Sequence, residues 1–362
     1  MPTILSPISL AGKRTTMQKI GFALIGAGNI AKVHAQAIRA IPGAEVRVVC
    51  SRREEPGRAL AALYNAAWLP DYHEAVARDD VDVVSICTPS ATHADIAEAA
   101  AQAGKHLVIE KPIDVTLERA DRILRAADRP GLKMTCIFPS RFTAGARAAK
   151  EAVEQGRLGR LALADAYVKW YRPQSYYDGS WRGTWAGDGG GALINQSIHS
   201  IDLLQWLAGP VESVFGRVAT LAHRMETEDT ASAVLTFRSG ALGVIQGATS
   251  CWPGDRARVE LHGDKGTIVL EEARITRWKL ADAAPDEEAK MLALEEAGGS
   301  GSSDPMGIGY ELHRRQIADL VEAIREDRPP AIGGAEARKA LEIILAIYRS
   351  AQTGAIVKLP LA

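Results

Sequence analysis

Residues 19–41 read KIGFALIGAGNIAKVHAQAIRAI, and their pattern decides the fold. A short apolar run stops at Gly26-Ala27-Gly28-Asn29-Ile30-Ala31 and passes straight into apolar residues at helical spacing. This is a G-x-G-x-x-G/A turn between a strand and a helix, the context in which the motif holds a dinucleotide. Gly26 permits the tight turn, Gly28 lets the backbone approach a pyrophosphate, and Ala31 allows close helix–strand packing. Asn29 and Ile30 open the helix, where free N–H groups face phosphates.

Downstream the two periods keep alternating. AEVRVVC (44–50), VDVVSICT (81–88), HLVIE (106–110) and KMTCIF (133–138) read as strands, with helical patterns between them. The alternation predicts an α/β fold: a Rossmann-type, doubly wound parallel sheet over residues 18–140, after an N-terminal extension at 1–17. Beyond residue 141 the rhythm changes. One helix (142–155) and the long alternating run LALADAYVKWY (161–171) precede five strand-like runs: 211–221, 230–237, 241–250, 256–263 and 266–272. Strands in succession predict a large mixed or antiparallel open sheet, within a C-terminal α/β domain over 141–362. Residues 281–309 are acidic and Gly/Ser-rich and read as a long loop, and helices at 310–326 and 335–353 close the chain.

Composition narrows the function classes. A chain of 362 residues, 47% hydrophobic and 24% charged, is that of an ordinary globular protein. Its net charge of −1 gives no electrostatic attraction for nucleic acid or an anionic membrane. No apolar run approaches the roughly 20 residues of a membrane span, and the N-terminus makes a poor signal peptide. Cys50, Cys87, Cys136 and Cys251 are widely spaced, which predicts buried reduced thiols, no metal site and a cytoplasmic address.

NAD-specific domains present an acidic residue to the ribose diol at the end of the second strand. Here Ser51-Arg52-Arg53 stands there, and a hydroxyl with two guanidiniums suits a 2′-phosphate. This favours NADP(H) over NAD(H); the opposing reading makes both arginines solvated surface charge. Thr88-Pro89 sits at the carboxyl end of the next strand, where open α/β sheets bind ligands, with His93 in the following first helical turn. Glu110-Lys111-Pro112 occupies the same kind of position one strand later.

Residues 188–206, DGGGALINQSIHSIDLLQW, read as a helix apolar on all but one stripe. Asn195, His199 and Asp202 form that stripe, within roughly 60° of one another. Buried polar groups are hydrogen-bonded or serve chemistry. Upstream, KWYRPQSYYDGSWRGTW (169–185) gathers rings and guanidiniums in a chain only 6% aromatic. Tyr176, Trp181 and Trp185, with Arg172 and Arg182, suit a pyranose whose C–H face stacks while its hydroxyls hydrogen-bond. Either arginine also suits a carboxylate or phosphate on the substrate; the alternative is that several rings pack a domain interface.

Gly26-x-Gly28-x-x-Ala31, Thr88-Pro89…His93, Glu110-Lys111-Pro112 and Gly189-Gly190-Gly191…His199-x-x-Asp202 occur in this order. The set resembles the glucose–fructose oxidoreductase/inositol dehydrogenase (Gfo/Idh/MocA) family, over about residues 18–360. The resemblance implies a homodimer or homotetramer built through the C-terminal sheet. It also implies hydride exchange between a nicotinamide and a ring carbon of a sugar, sugar acid, inositol or nucleotide sugar. Lys111 then matches the substrate-positioning, proton-handling lysine and His199 the general base or acid, with Glu110 and Asn195 supporting. Where the family often has aspartate, this chain has Asn195, which can hydrogen-bond but not exchange a proton at neutral pH; nucleotide-sugar members share the Asn-Gln-x-x-His pattern. Asp202 either orients the imidazole or the substrate, or is a structural partner within the helix. Two further readings stand beside the dehydrogenase: an enzyme that oxidises its substrate transiently and keeps its cofactor, and a non-catalytic cofactor sensor.

Overall fold

The computed structural model describes residues 19–294 and 309–361, so the expected N-terminal extension at 1–17 and residues 295–308 of the expected acidic loop lie outside the described residues. The first part of the chain alternates β1 (Ile20–Ile25), α1 (Asn29–Arg39), β2 (Ala44–Cys50), α2 (Glu54–Ala62), β3 (Ala67–Leu69), α3 (Tyr72–Val76) and β4 (Val83–Ile86). It continues through α4 (His93–Gln102), β5 (His106–Ile109), α5 (Leu117–Ala127) and β6 (Met134–Cys136). The strands form one six-stranded sheet in the order β3-β2-β1-β4-β5-β6, every pairing parallel. Central strand β1 is buried along its whole length, as a strand covered by helices on both faces must be.

The second part holds α6 (Ala144–Glu154), β7 (Leu161–Lys169), α7 (Ile198–Ala208), β8 (Val211–Ala219), β9 (Thr230–Phe237) and β10 (Leu242–Ala248). There follow β11 (Arg258–Gly263), β12 (Gly266–Glu271), β13 (Arg274–Leu280), α8 (Glu287–Leu292), α9 (Glu311–Arg325), α10 (Gly334–Thr353) and β14 (Val357–Lys358). Its eight-stranded sheet runs β13-β12-β11-β7-β10-β9-β8-β14 and is mixed, since β7 and β10 pair in parallel while the other pairings are antiparallel. Helix α7 buries Ile198, Ile201, Leu204 and Leu207 in the core beneath this sheet.

The short strands β3 and β14 were not expected, and three larger features also depart from the sequence reading. Strand β13 was not expected, because RITRWKL alternates with charged residues on its outer face and its apolar face is narrow. α8 interrupts the expected loop, held by the Arg157–Glu287 ion pair at 2.6 Å. α9, late in the chain, packs against the first sheet: Ile317, Leu320 and Val321 join its core, and Gln316 bonds the main chain of Phe138 and Cys136. Cys50, Cys87 and Cys136 are buried and all four cysteines are free.

Candidate active site

A cleft of about 2020 Å³ runs from the carboxyl edge of the first sheet to α7 and the aromatic segment over the second. At one end lies the turn between β1 and α1. Gly26 has φ +117, and a Cβ there would sit 2.5 Å from the Cys87 carbonyl oxygen, so only glycine fits. A Cβ on Gly28 would meet nothing within 4 Å, leaving open space where a pyrophosphate approaches the main chain. Gly28 caps α1, and Gly28, Asn29 and Ile30 line the cleft, so the helix N-terminus faces it with its anion-attracting dipole. Asn29, Ile30, Thr88 and Pro89 line the same wall. These features fit a bound dinucleotide.

Ser51, Arg52 and Arg53 also open onto the cleft. Ser51 Oγ is spoken for: it donates to the Arg53 carbonyl at 2.8 Å and accepts from Trp68 Nε1 at 3.3 Å. Both guanidiniums are exposed.

Lys111 and His199 meet at the middle of the cleft, one from the loop after β5 and the other from α7. Lys111 Nζ donates to the main-chain carbonyl of Asn195 at 2.7 Å. Burial lowers the Lys111 pKa, and the carboxylates of Glu110 and Asp188 pull against it. Burial, aided by the Lys111 charge, pushes His199 down to about 3, so its imidazole is neutral at physiological pH. Its Nδ1 is buried without a hydrogen-bond partner, and the ring stands edge-on to Phe138 at 5.9 Å.

Beneath Lys111, Glu110 anchors a cluster that sequence reading passed over. Its Oε1 takes His34 Nε2 at 2.8 Å and lies 3.6 Å from His313 Nε2, while His34 Nδ1 bonds Ser85 Oγ at 2.8 Å. Burial disfavours the Glu110 charge, yet His313 and His34 hold its carboxyl well below the usual range. His34 and His313 stand 279 positions apart in numbering on α1 and α9, so no local motif announces them.

The predicted stripe on α7 turns out differently. A π-helical stretch, Ala192–Ser197, precedes the regular helix and shifts its register. The side facing the cleft carries Asn195, Gln196, His199, Ser200 and Leu203. Asp202 turns away, fully buried, into a bidentate pair with Arg141 at 2.6 and 2.7 Å. Of its two open roles, the structure gives it the structural one.

Among the aromatic segment, Tyr176, Trp181, Arg172 and Arg182 reach the cleft. The centroid of the Tyr176 ring lies 5.8 Å from the guanidinium carbon of Arg172 and 4.7 Å from that of Arg182. Trp185, expected at the substrate, lies off the cleft with its ring edge-on to Tyr348 at 5.5 Å. His93, expected at the cofactor, is buried behind the wall, bonded to the carbonyls of Pro112 at 3.0 Å and Thr88 at 3.1 Å. The loop bearing Pro112 covers it.

Two buried acids shape this region without having been singled out. Asp188 accepts from Asn195 Nδ2 at 2.7 and 2.9 Å and from the Gly183 amide at 3.0 Å. Burial pushes it up to about 6, against those bonds and the charges of Lys111 and Arg182. Glu228 accepts from the Gly191 and Leu193 amides at 2.9 and 2.8 Å and from the Tyr348 hydroxyl at 2.8 Å, closing the N-terminus of the π-helical stretch. The acid preceding a triple glycine was a signal for Asp188; Glu228, in a loop before β9, offered none.

A parallel α/β sheet that carries a Gly-rich turn and a lysine at its carboxyl edge, joined to a mixed-sheet unit whose helix α7 brings a histidine to the same cleft, defines a two-domain nucleotide-dependent oxidoreductase. The chain belongs to the Gfo/Idh/MocA family: residues 20–138 match the family's NAD-binding Rossmann-fold profile and residues 146–269 its C-terminal domain. Over 96% of this chain and 99% of that one, it is 35% identical to the WlbA dehydrogenase of Bordetella pertussis, solved with NADH and UDP-GlcNAcA, with a TM-score of 0.87. The WlbA dehydrogenase of Chromobacterium violaceum, solved with the same two ligands, is 32% identical over 99% of both chains, with a TM-score of 0.85. The myo-inositol 2-dehydrogenase of Thermotoga maritima is 27% identical over 93% of this chain and 97% of its own length.

Proposed function

We propose that this chain interconverts a secondary alcohol and a ketone on the ring of a carboxylated nucleotide sugar, with NAD(H) as cofactor. The observation that carries the reading is the convergence of Lys111 and His199 on a cleft whose far end holds Tyr176 beside Arg172 and Arg182. A lysine–histidine pair handles an alcohol proton, and two guanidiniums attract an anionic substrate. The likeness to two dehydrogenases solved with NADH and UDP-GlcNAcA supports the same substrate class.

Gly26, Gly28, Asn29, Ile30, Thr88 and Pro89 would hold the dinucleotide. Bound there in its oxidised form, it would supply the hydride acceptor for the alcohol C–H bond. Neutral His199 accepts the hydroxyl proton as that bond breaks, and the Lys111 ammonium stabilises the charge developing on the oxygen. In the reverse direction Lys111 polarises the ketone and protonated His199 returns the proton. Asn195 positions, through its carbonyl hold on Lys111. NADP(H) is a second reading, favoured by Arg52 and Arg53: both are exposed at the cleft and neither is in an ion pair among the described residues.

The outward face of the second sheet leaves Leu163, Phe215, Val234 and Leu242 exposed on neighbouring strands, which supports a homo-oligomer built across it. No helix among the described residues is long and apolar enough to cross a membrane.

The test is to mix the enzyme with NAD+ or NADP+ and UDP-GlcNAcA, myo-inositol or levoglucosan, and to follow reduced-cofactor absorbance. Turnover with the acidic sugar nucleotide is expected. Reduced cofactor held at or below one per active site, with product still accumulating, favours the cofactor-retaining reading; no reaction with any substrate in either direction favours the sensor.

A further inference from the structure

The hydrogen bonds around Asp188 run in one direction. Both its oxygens accept from Asn195 Nδ2, at 2.7 and 2.9 Å, which fixes which way the Asn195 amide points. Asn195 Oδ1 must then face Gln196, whose Nε2 donates to it at 2.7 Å and to the Tyr176 hydroxyl at 3.0 Å. With its nitrogen used in this way, Gln196 turns Oε1 to the Arg172 guanidinium and accepts from Nη2 at 2.9 Å. Each amide has one donor end and one acceptor end, so the orientation of the first sets the second. Asp188 is fully buried and does not line the cleft.

We infer that Asp188 is a positioning residue for substrate charge: a buried carboxylate that aligns Asn195 and Gln196 and thereby seats Arg172 behind Tyr176 at the anion-binding end of the cleft. This rests on the reading of the substrate as a carboxylated sugar nucleotide. Chemistry at Lys111 and recognition at Arg172 then share one origin, because Asn195 also holds Lys111 through its carbonyl oxygen. Asparagine cannot replace Asp188 in this role. An amide side chain has one acceptor, whereas the Gly183 amide and Asn195 Nδ2 bring N–H groups to both oxygens, so in Asp188→Asn either orientation of the new amide sets two donors face to face. Relief requires Asn195 to flip, which flips Gln196 and turns its NH2 toward the guanidinium.

The test compares wild type with Asp188→Asn, using NADH-loaded enzyme titrated calorimetrically with UDP-GlcNAcA and with its uncharged counterpart UDP-GlcNAc. The expected result is a Kd for UDP-GlcNAcA weaker by about tenfold or more, while those for UDP-GlcNAc and NADH stay within about twofold. Equal weakening of both sugar nucleotides, or of neither, overturns the inference. Gln196→Met cuts the same chain without touching the buried acid, and should reproduce the charge-selective loss if Asp188→Asn does not fold. The crystal structure of Asp188→Asn tests the alignment without any substrate. A lost Gln196 Oε1–Arg172 contact supports it, and an unchanged contact overturns it even if wild type ignores both sugar nucleotides. That last behaviour would instead count against the substrate reading.

Discussion

Lys111 Nζ donates to the Asn195 carbonyl at 2.7 Å, tying the loop after β5 in the first sheet to the π-helical stretch that leads into α7 under the second. The bond needs a main-chain carbonyl free to accept at that point. A regular helix engages the carbonyl of each interior residue with the amide four residues on; the wider π turn at Ala192–Ser197 alters that pattern where Asn195 stands. The irregular entry to α7 and the placement of the lysine are thus parts of one arrangement.

Lys111→Ala is expected to lower kcat/KM by about 10³-fold, the scale of losing one preorganised charge at a developing oxyanion. NADH affinity, measured by fluorescence titration, should stay within a few-fold, because the Gly26–Ile30 turn is separate from the lysine. Retained turnover would remove Lys111 from the chemistry.

His199→Gln is expected to lower kcat by about 10²- to 10⁴-fold. It also changes stability with pH. The folded imidazole titrates at about 3, below its usual value of about 6.5, so the unfolded chain binds the extra proton in that window. The contribution of His199 to stability is full above about 6.5 and is lost as pH falls toward about 3. Denaturant midpoints measured down that range should fall more steeply for wild type than for His199→Gln. Parallel slopes would contradict a buried neutral histidine.

For a carboxylated substrate, kcat/KM should decline as pH drops through about 6, where Asp188 takes up a proton. Protonation turns one of its acceptor oxygens into a donor facing the N–H groups of Asn195 or Gly183. The Asp188 pKa is raised, so its ionisation costs stability as pH rises through about 6, and the active form is the less stable one there. A flat profile from about one pH unit below that value to one above it would contradict this.

The alternation of strands and helices carried the first sheet apart from its edge strand β3, because the strands inside it are largely buried and read as apolar runs, whereas β3 is short and only half-buried. Strand β13, wet on one face, was hidden by its charges. At the site, Lys111 and His199 stood out because each follows a motif of fixed local geometry. Asp202 falls off the cleft because, within the regular turns of α7, the cleft lies on the Ser200 and Leu203 side of His199, while Asp202 lies on the other side, where Arg141 meets it. His34, His313 and Arg141 acquire their partners only through contacts far apart in sequence.

Asp202→Asn should destabilise the chain by about 3 kcal/mol, since it removes the buried counter-charge of Arg141 and leaves Glu336, at 3.2 Å, as its carboxylate partner. The folded fraction should keep its kcat within a few-fold, as Asp202 does not face the cleft. Urea unfolding and active-site-normalised kinetics separate the two effects. A selective loss of kcat at unchanged stability would return Asp202 to the catalytic group.

Arg52→Ala and Arg53→Ala together should weaken NADP(H) by about tenfold while leaving NAD(H) nearly unchanged, if the guanidiniums bind a 2′-phosphate. Titration of both cofactors against the double variant decides this. Equal effects on both assign the arginines to general surface charge.

The most direct measurement is reduced-cofactor formation when UDP-GlcNAcA is added to the enzyme with NAD+, run beside Lys111→Ala. The account predicts absorbance growth in wild type that is lost in the variant. No growth with UDP-GlcNAcA in wild type, or equal growth in both proteins, would contradict it.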